Sequence, residues 1–283
     1  MSQFVSVALP ARNAAGYIGD AVRSILAQTH RDLELVVCDN HSTDGTAEAL
    51  AGISDPRLRI ARPPRPLPIA LSHRFAVEQT SSPLVAVMGA DDFALPDRLA
   101  AQLVVLAAEP RLVLVGCWCE SIDDIGHHLG ALRYADRADR LRRDVLRANP
   151  IVLPTMLFRR AAYDASGGFR DDFGYAFDYD LVLRLLRVGD VANVPRDLLR
   201  YRYPRGGISF SAIKEVQRDG LRLRRSALRG GGYGALDHLW LLQPLLALAV
   251  PSAVLRAIAI PYMNFFHGRA TPPEISPERA GTR

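Results

Sequence analysis

The stretch VMGADDFALPDRL, from Val87 to Leu99, sets two adjacent carboxylates, Asp91 and Asp92, between an apolar run and a segment that Pro96 and Asp97 can open as a helix. Hard divalent cations such as Mg²⁺ and Mn²⁺ take one or two carboxylates and complete their shells with phosphate oxygens and water, so the pair suits a metal–diphosphate site. An Asp-rich helix-capping turn has the same composition and is the commoner structure, so the pair taken alone favours the turn. Asp123 and Asp124, close to His127 and His128, form a second acidic cluster. No third ligand is fixed there by spacing, and the cluster reads as a polar loop.

What the chain lacks narrows the chemistry. Its positive charge is carried almost entirely by arginine, because Lys214 is the single lysine. A P-loop, a protein kinase and a Schiff-base enzyme each need a lysine in a defined context that Lys214 does not occupy. No GxGxxG follows a strand, which argues against a nicotinamide Rossmann enzyme. A nucleotidyltransferase would want a glycine-rich phosphate loop with a lysine near the N-terminus, where this chain has LPARNAAG. The cysteines, Cys38, Cys117 and Cys119, give neither a CxxC pair nor an even set, so a disulfide framework or zinc site is not expected, and a reducing cytoplasm fits. The N-terminus shows no secretion signal.

The elements that must position the carboxylates are legible from periodicity. Phe4 to Leu9 is a strand-like apolar run, and Ile18, Ala21, Val22, Ile25 and Leu26 recur at helical spacing. LELVVC, a helix from Thr46, RLRIA, a helix from Ile69 to Gln79 and LVAVMGA continue the alternation. Strands alternating with amphipathic helices predict a largely parallel sheet covered on both faces, with ligands at the carboxyl ends of its strands. The loops PARN, DNHSTDG and GADD would then bring Asn13, Asp39, Asp91 and Asp92 to one rim. Farther on, LVLVGCWCES reads as a strand, NPIVLPTMLFRRAAYDASGGF as a strand and a turn, and FDYDLVLRLLRVG as a helix ended by Gly189.

The long ordered piece VSVALPARNAAGYIGDAVRSILAQTHRDLELVVCDNHSTDGT, followed by MGADDFALPDRL, GGFRDDF and FDYDLVLRLLRVGDV, resembles inverting glycosyltransferases of family 2, of the bacterial polysaccharide or glycolipid type. The resemblance covers most of residues 4 to 210 and implies a GT-A fold, α/β, with a single Rossmann-like, mostly parallel sheet flanked by helices. It implies a donor pocket lined by Pro10, Ala11, Arg12 and Asn13, with Asp39 and Arg74 at the base. Asp91 would lie toward the ribose, Asp92 would ligate Mn²⁺ or Mg²⁺, and Asp178 would be the general base. Arg202 or Arg205 would meet the diphosphate, in place of a histidine usual in the family. Phe177 stands where the family usually has Glu, and Gly89 where the first Asp of an Asp-x-Asp-Asp run is common. Phe75 stands where Asn often follows the arginine.

The implied partners are a nucleotide-diphosphate sugar (UDP, dTDP or GDP) and a glycan or lipid-linked acceptor in cell-envelope synthesis, with no nucleic acid. The absence of a Gln-x-x-Arg-Trp run favours transfer of single sugars over processive synthesis. The alternative is a degenerate donor-binding protein without turnover. The expected organisation is a GT-A domain over 1–210, with a nucleotide-sugar half to 100 and an acceptor half beyond it. A basic and apolar helical extension would cover 211–270, and a disordered tail 271–283. From Leu239 to Leu255 no residue is charged, although Pro244 and Pro251 interrupt the run. With the basic segment before it, this suits a helical hairpin, packed on the protein or lying on the inner face of the cell membrane, more than a span.

Overall fold

Strand β1 (Val5–Ala11) is buried along nearly all its length, because its odd residues face one core layer and Ala8 faces the other. A central parallel strand covered on both faces needs such an apolar run. The computed structural model describes residues 3–203 and 212–255. β2 (Leu33–Asp39) and β4 (Leu84–Val87) pair with β1 in parallel on either side, and β3 (Leu58–Ala61) extends the sheet beyond β2. Strand order therefore reverses at β1, and the loops leaving β1 and β4 splay apart there to form a crevice at their carboxyl ends.

The other half of the sheet is mixed. β8 (Leu157–Arg159) runs antiparallel to β4 and to β6 (Leu112–Ile122), while β9 (Asp190–Arg202) runs parallel to β6 over its full length. β5 (Phe93–Ala94) closes the edge on β9, and β7 (His128–Leu132) pairs with β6. The order is β3-β2-β1-β4-β8-β6-β9-β5, so the sheet is continuous through both halves. Of these, β9 has the largest consequence for the site, because its last residue, Arg202, arrives beside Asp92.

Helices cover both faces. α1 (Ile18–Leu26) and α4 (Arg98–Ala108) seal one layer, and α3 (Ile69–Glu78) and α7 (Phe177–Leu185) the other. α2 (Thr46–Ala51), α5 (Ala138–Asp144) and α6 (Arg160–Ala165) are short. α6 corrects the sequence reading of a strand and a turn across 149–169: the strand is three residues long, and RAAYDA after it is helical.

The C-terminal part is helical, with α8 (Ile213–Arg229), a 3-10 turn over Ala235–Leu241 and α9 (Leu242–Ala249). The uncharged run from Leu239 is thus split between two short elements. Among the described residues no helix is long and apolar enough to cross a membrane. The tail 271–283 lies outside the described residues.

Candidate active site

At the carboxyl ends of β1 and β4 lies a cleft of about 1030 Å³, whose walls include the β1 loop, the Asp pair, α3 and the start of α7. The β1 loop is tied to the β2 loop by side chains rather than by strand pairing. Asn13 takes a left-handed backbone (φ 52°), accepts a hydrogen bond from Thr43 N–H at 2.9 Å, and donates its own N–H to Ser42 Oγ. Ala14 N–H donates to Thr46 Oγ1 and Ala15 N–H to Asp44 Oδ2. Asn40 holds both the N–H and the C=O of Leu67, drawing the proline-rich loop onto the same rim. Asn and Asp tolerate such turns and satisfy loop backbone groups, which is why DNHSTDG is rich in them.

The Asp pair is held from two sides. Arg202 donates its backbone N–H to Asp92 Oδ1 at 2.9 Å and its Nε–H to the Asp91 carbonyl at 2.9 Å. Its Nη1 donates to the carbonyls of Asp123 and Asp124, and the guanidinium lies 4.7 Å above the Tyr17 ring. Behind the pair, Arg98 is fully buried, donating to the Val87 carbonyl at 2.8 Å and to Gln102 Oε1. Burial raises both carboxyls above the ordinary aspartate range, Asp92 well above it, and the charge of Asp91 pushes Asp92 further while Arg98 and Arg202 pull it down.

Two crowded, desolvated carboxylates with hard oxygen donors fit a Mg²⁺- or Mn²⁺-sized ion, which would relieve their repulsion. Among the described residues no group of three or more His, Cys, Asp or Glu gathers to hold a metal, so the rest of the shell would come from phosphate and water. Gly89 makes the room. A Cβ there would collide with Asp92 Oδ2 and sit 3.3 Å from Asp91 Oδ1.

Across the cleft, Asp178 begins α7 directly after a turn in which Gly174 is left-handed. Its Oδ2 accepts a hydrogen bond from Asn149 Nδ2 at 2.9 Å. Burial raises its pKa to about 6, opposed by that bond and by nearby backbone N–H groups. Asp180 anchors the helix: it is buried, and takes Arg170 at 2.8 Å and Arg184 at 2.7 Å, while Arg184 also donates to the Gly168 and Ser166 carbonyls. Four residues apart on a helix, Asp180 and Arg184 would by spacing alone form an ordinary surface pair. The structure corrects this, because α7 is embedded on several sides and the pair is interior.

The same cleft is thus lined by a carboxyl raised to about 6 and by a pair of crowded carboxylates. The model of the family described as "Glycosyl transferase family 2" matches residues 6–167, more than half of the chain. The chain belongs to glycosyl transferase family 2. An uncharacterized glycosyltransferase of Haemophilus influenzae is 31% identical over 209 residues, 70% of this chain. The match spans 65% of that relative, just under two thirds of its length. Among solved structures, Staphylococcus aureus TarS 1-349 in complex with UDP-GlcNAc superposes with a TM-score of 0.68 at 16% identity, covering 86% of this chain and 72% of that one. The mannosyltransferase PcManGT of Pyrobaculum calidifontis, in complex with GDP-Man and Mn²⁺, gives 0.62 at 20% identity, covering 92% and 71%. At these identities the likeness concerns the fold, which is GT-A.

Within this family 2 chain, the positions implied by the resemblance are distributed unevenly. Pro10, Ala11, Arg12, Asn13, Asp91, Asp92, Asp178 and Arg202 all line the cleft. Asp39, at the end of β2, is buried and accepts the Ser42 N–H, so it shapes the loop beside the cleft, while the Thr46 N–H and hydroxyl at the start of α2 donate to Asp44. Arg74 is not among the lining residues. It lies exposed on α3, paired with Glu78 at 2.8 Å, while its neighbours Ser72 and His73 face the cleft. The Arg202 guanidinium is largely committed to carbonyls and the Tyr17 ring, which makes it a clamp on the Asp loop. Arg205 lies outside the described residues.

Phe177 is a core residue packed 5.0 Å from His73 and 5.5 Å from Phe169. His127 pairs with Asp123 at 3.3 Å in a turn that Asp123 closes by accepting the N–H groups of Ile125 and His127. The sequence reading missed Arg98, buried behind the Asp pair, and Asn149, Tyr134, Tyr201 and Tyr203, which line the cleft. A single polar residue before a proline, as at Asn149, carries no periodic signal.

Proposed function

We propose that this family 2 chain is an inverting glycosyltransferase that moves a single sugar from a nucleoside-diphosphate donor to a glycan or lipid-linked acceptor of the cell envelope. The observation that carries this reading is Asp178: a partly buried carboxyl with its pKa raised to about 6, in the same cleft as the paired carboxylates of Asp91 and Asp92. A sugar hydroxyl is a poor nucleophile at neutral pH, so a carboxylate must accept its proton as its oxygen attacks the anomeric carbon. The bond from that carbon to the diphosphate oxygen breaks on the opposite side, and one displacement inverts the centre. Asp178 leaves the step protonated and returns the proton to solvent.

The remaining residues position this step. Asp92 would hold Mn²⁺ or Mg²⁺ and Asp91 would face the ribose; the cation, when bound, offsets the charge growing on the diphosphate. Arg12, exposed on the rim, supplies a cation toward the phosphates. Arg202 and Arg98 fix the Asp loop, and Asn149 and Asp180 fix Asp178. UDP-GlcNAc and GDP-Man in the structural neighbours support a nucleotide-sugar donor, and Mn²⁺ in one of them supports the cation. Three free, buried cysteines support work in a reducing compartment, the cytoplasmic side of the membrane.

The alternative, donor binding without turnover, rested on Phe177. Its packing role beside an intact Asp178 gives that reading no support. The test is a thermal-shift and calorimetric screen of UDP-, GDP- and dTDP-sugars with and without Mn²⁺, followed by transfer to lipid-linked glycan fractions. One donor should bind more tightly with Mn²⁺ and be turned over. Binding without turnover on any acceptor would favour the degenerate protein, and no binding would sink both readings.

A further inference from the structure

The helical extension carries a feature that donor chemistry does not use. Leu236, Leu239, Trp240, Leu242, Leu245 and Leu246 are all exposed, six of the thirteen exposed large apolar side chains among the described residues, within eleven consecutive positions. Scattered exposed leucines are ordinary, whereas a concentration of this kind marks a surface that something covers. The ridge is held rigidly. Lys214, the only lysine, donates to the carbonyls of Ala247, Leu248 and Val250 and so caps the C-terminal end of α9. Arg224, buried in α8, donates to the Trp240 carbonyl and to Gln243 Oε1.

Cations lie on α8, the helix that packs against α9. α8 carries Lys214 and five arginines against only Glu215 and Asp219. Arg218, Arg222, Arg225 and Arg229 recur at spacings of four and three, so they form one stripe, and all four are exposed. Arg147 lies 5.7 Å over the Trp240 ring at the ridge itself. We propose that this face docks on an anionic lipid bilayer, with the leucines and Trp240 in the interface and Arg218, Arg225 and Arg229 against the headgroups. A second copy of the chain fits poorly, because a two-fold contact through the same patch would bring two arginine stripes together.

The helix that carries the stripe also reaches the cleft. Val216 of α8 lines the cleft, and Arg222 stacks 4.9 Å over Phe173 and donates to the Asp172 carbonyl, fastening α8 to the turn that precedes Asp178. A bilayer beneath α9 would therefore present a membrane-embedded acceptor to Asp178. This consequence rests on the transferase reading; the docking does not.

Vesicle co-sedimentation of the full chain, without donor or acceptor, tests the docking independently of turnover. We expect sedimentation with vesicles of phosphatidylglycerol and phosphatidylcholine, little with phosphatidylcholine alone, and release as salt rises. The double variant L239E/L246E should lose binding by at least about tenfold, and R218E/R225E by a similar factor, while calorimetric nucleotide binding, which needs no membrane, stays at the wild-type value. That unchanged binding also shows that the variants fold. Failure of the wild type to sediment with anionic vesicles at low salt overturns the proposal. A dimer in light scattering that L239E/L246E dissociates, without vesicle binding, assigns the face to a second copy instead and equally overturns it.

Discussion

The two walls of the cleft are built differently. On the donor wall, Asn13, Asn40, Ser42, Asp44 and Thr46 cross-link loops from β1, β2 and the segment before α3 through side-chain hydrogen bonds. On the acceptor wall, Leu132, Tyr134, Ile151, Leu153 and Val216 present aromatic and aliphatic surface, and the main polar event is Asn149 on Asp178. A polar, pre-tied wall suits a ligand common to a whole family, a nucleoside diphosphate. The apolar wall, assembled from loops and the C-terminal helices, can change shape with little cost to the sheet, and is where choice of acceptor would reside.

If the donor wall works as described, its most sensitive point is the Asp pair. Asp92→Ala should reduce transfer by at least about a thousandfold and remove the Mn²⁺ dependence of nucleotide binding seen by calorimetry. On the acceptor wall, Asp180→Ala strips the buried partner from Arg184 and Arg170. It should cost about 3–5 kcal/mol in denaturant unfolding and loosen α7 under hydrogen exchange. A milder break is Gly89→Ala, whose methyl displaces the Asp92 carboxylate. Transfer should fall about a hundredfold with an unchanged circular dichroism spectrum.

The smallest contrast lies within the donor wall. Arg12→Ala should weaken donor binding about five- to tenfold, whereas Arg74→Ala, removing an exposed ion pair away from the cleft lining, should change it less than about twofold. A larger loss for Arg74→Ala than for Arg12→Ala would reverse the placement of the two cations.

The same contrast explains what could be read from the sequence. The parallel strands and their helices on the donor side follow from apolar runs and 3.6-residue spacing, since each is buried by the sheet itself. The three polar loops could be assigned to one rim because parallel topology fixes where strands end. β9 escaped notice because Pro195, Arg196 and Asp197 interrupt its apolar pattern, and the structure accommodates them by a register shift against Cys117 and Trp118. The clamp by Arg202 depends on contacts across the fold, 110 residues apart for Asp92 and Arg202, and the burial of Arg98 depends on the sheet that covers it. No local pattern signals them. Gly89 read as a departure from the family pattern, whereas in three dimensions it is the space the carboxylates occupy.

The central claim is that Asp178 takes the proton, and its pH dependence tests this most directly. A carboxyl raised from the ordinary range to about 6 is competent only when ionised, so turnover should be full above that value and lost as pH falls through it. The same shift means that the ionised form costs folding stability at neutral pH, up to about 3 kcal/mol, and that the cost disappears below the ordinary carboxyl pKa. Asp178→Asn should therefore lower transfer about a thousandfold, abolish the inflection near pH 6, leave donor binding intact and raise the melting temperature at pH 7 but not at pH 3. A pH–rate profile of Asp178→Asn that keeps the wild-type turnover and the inflection would contradict the account.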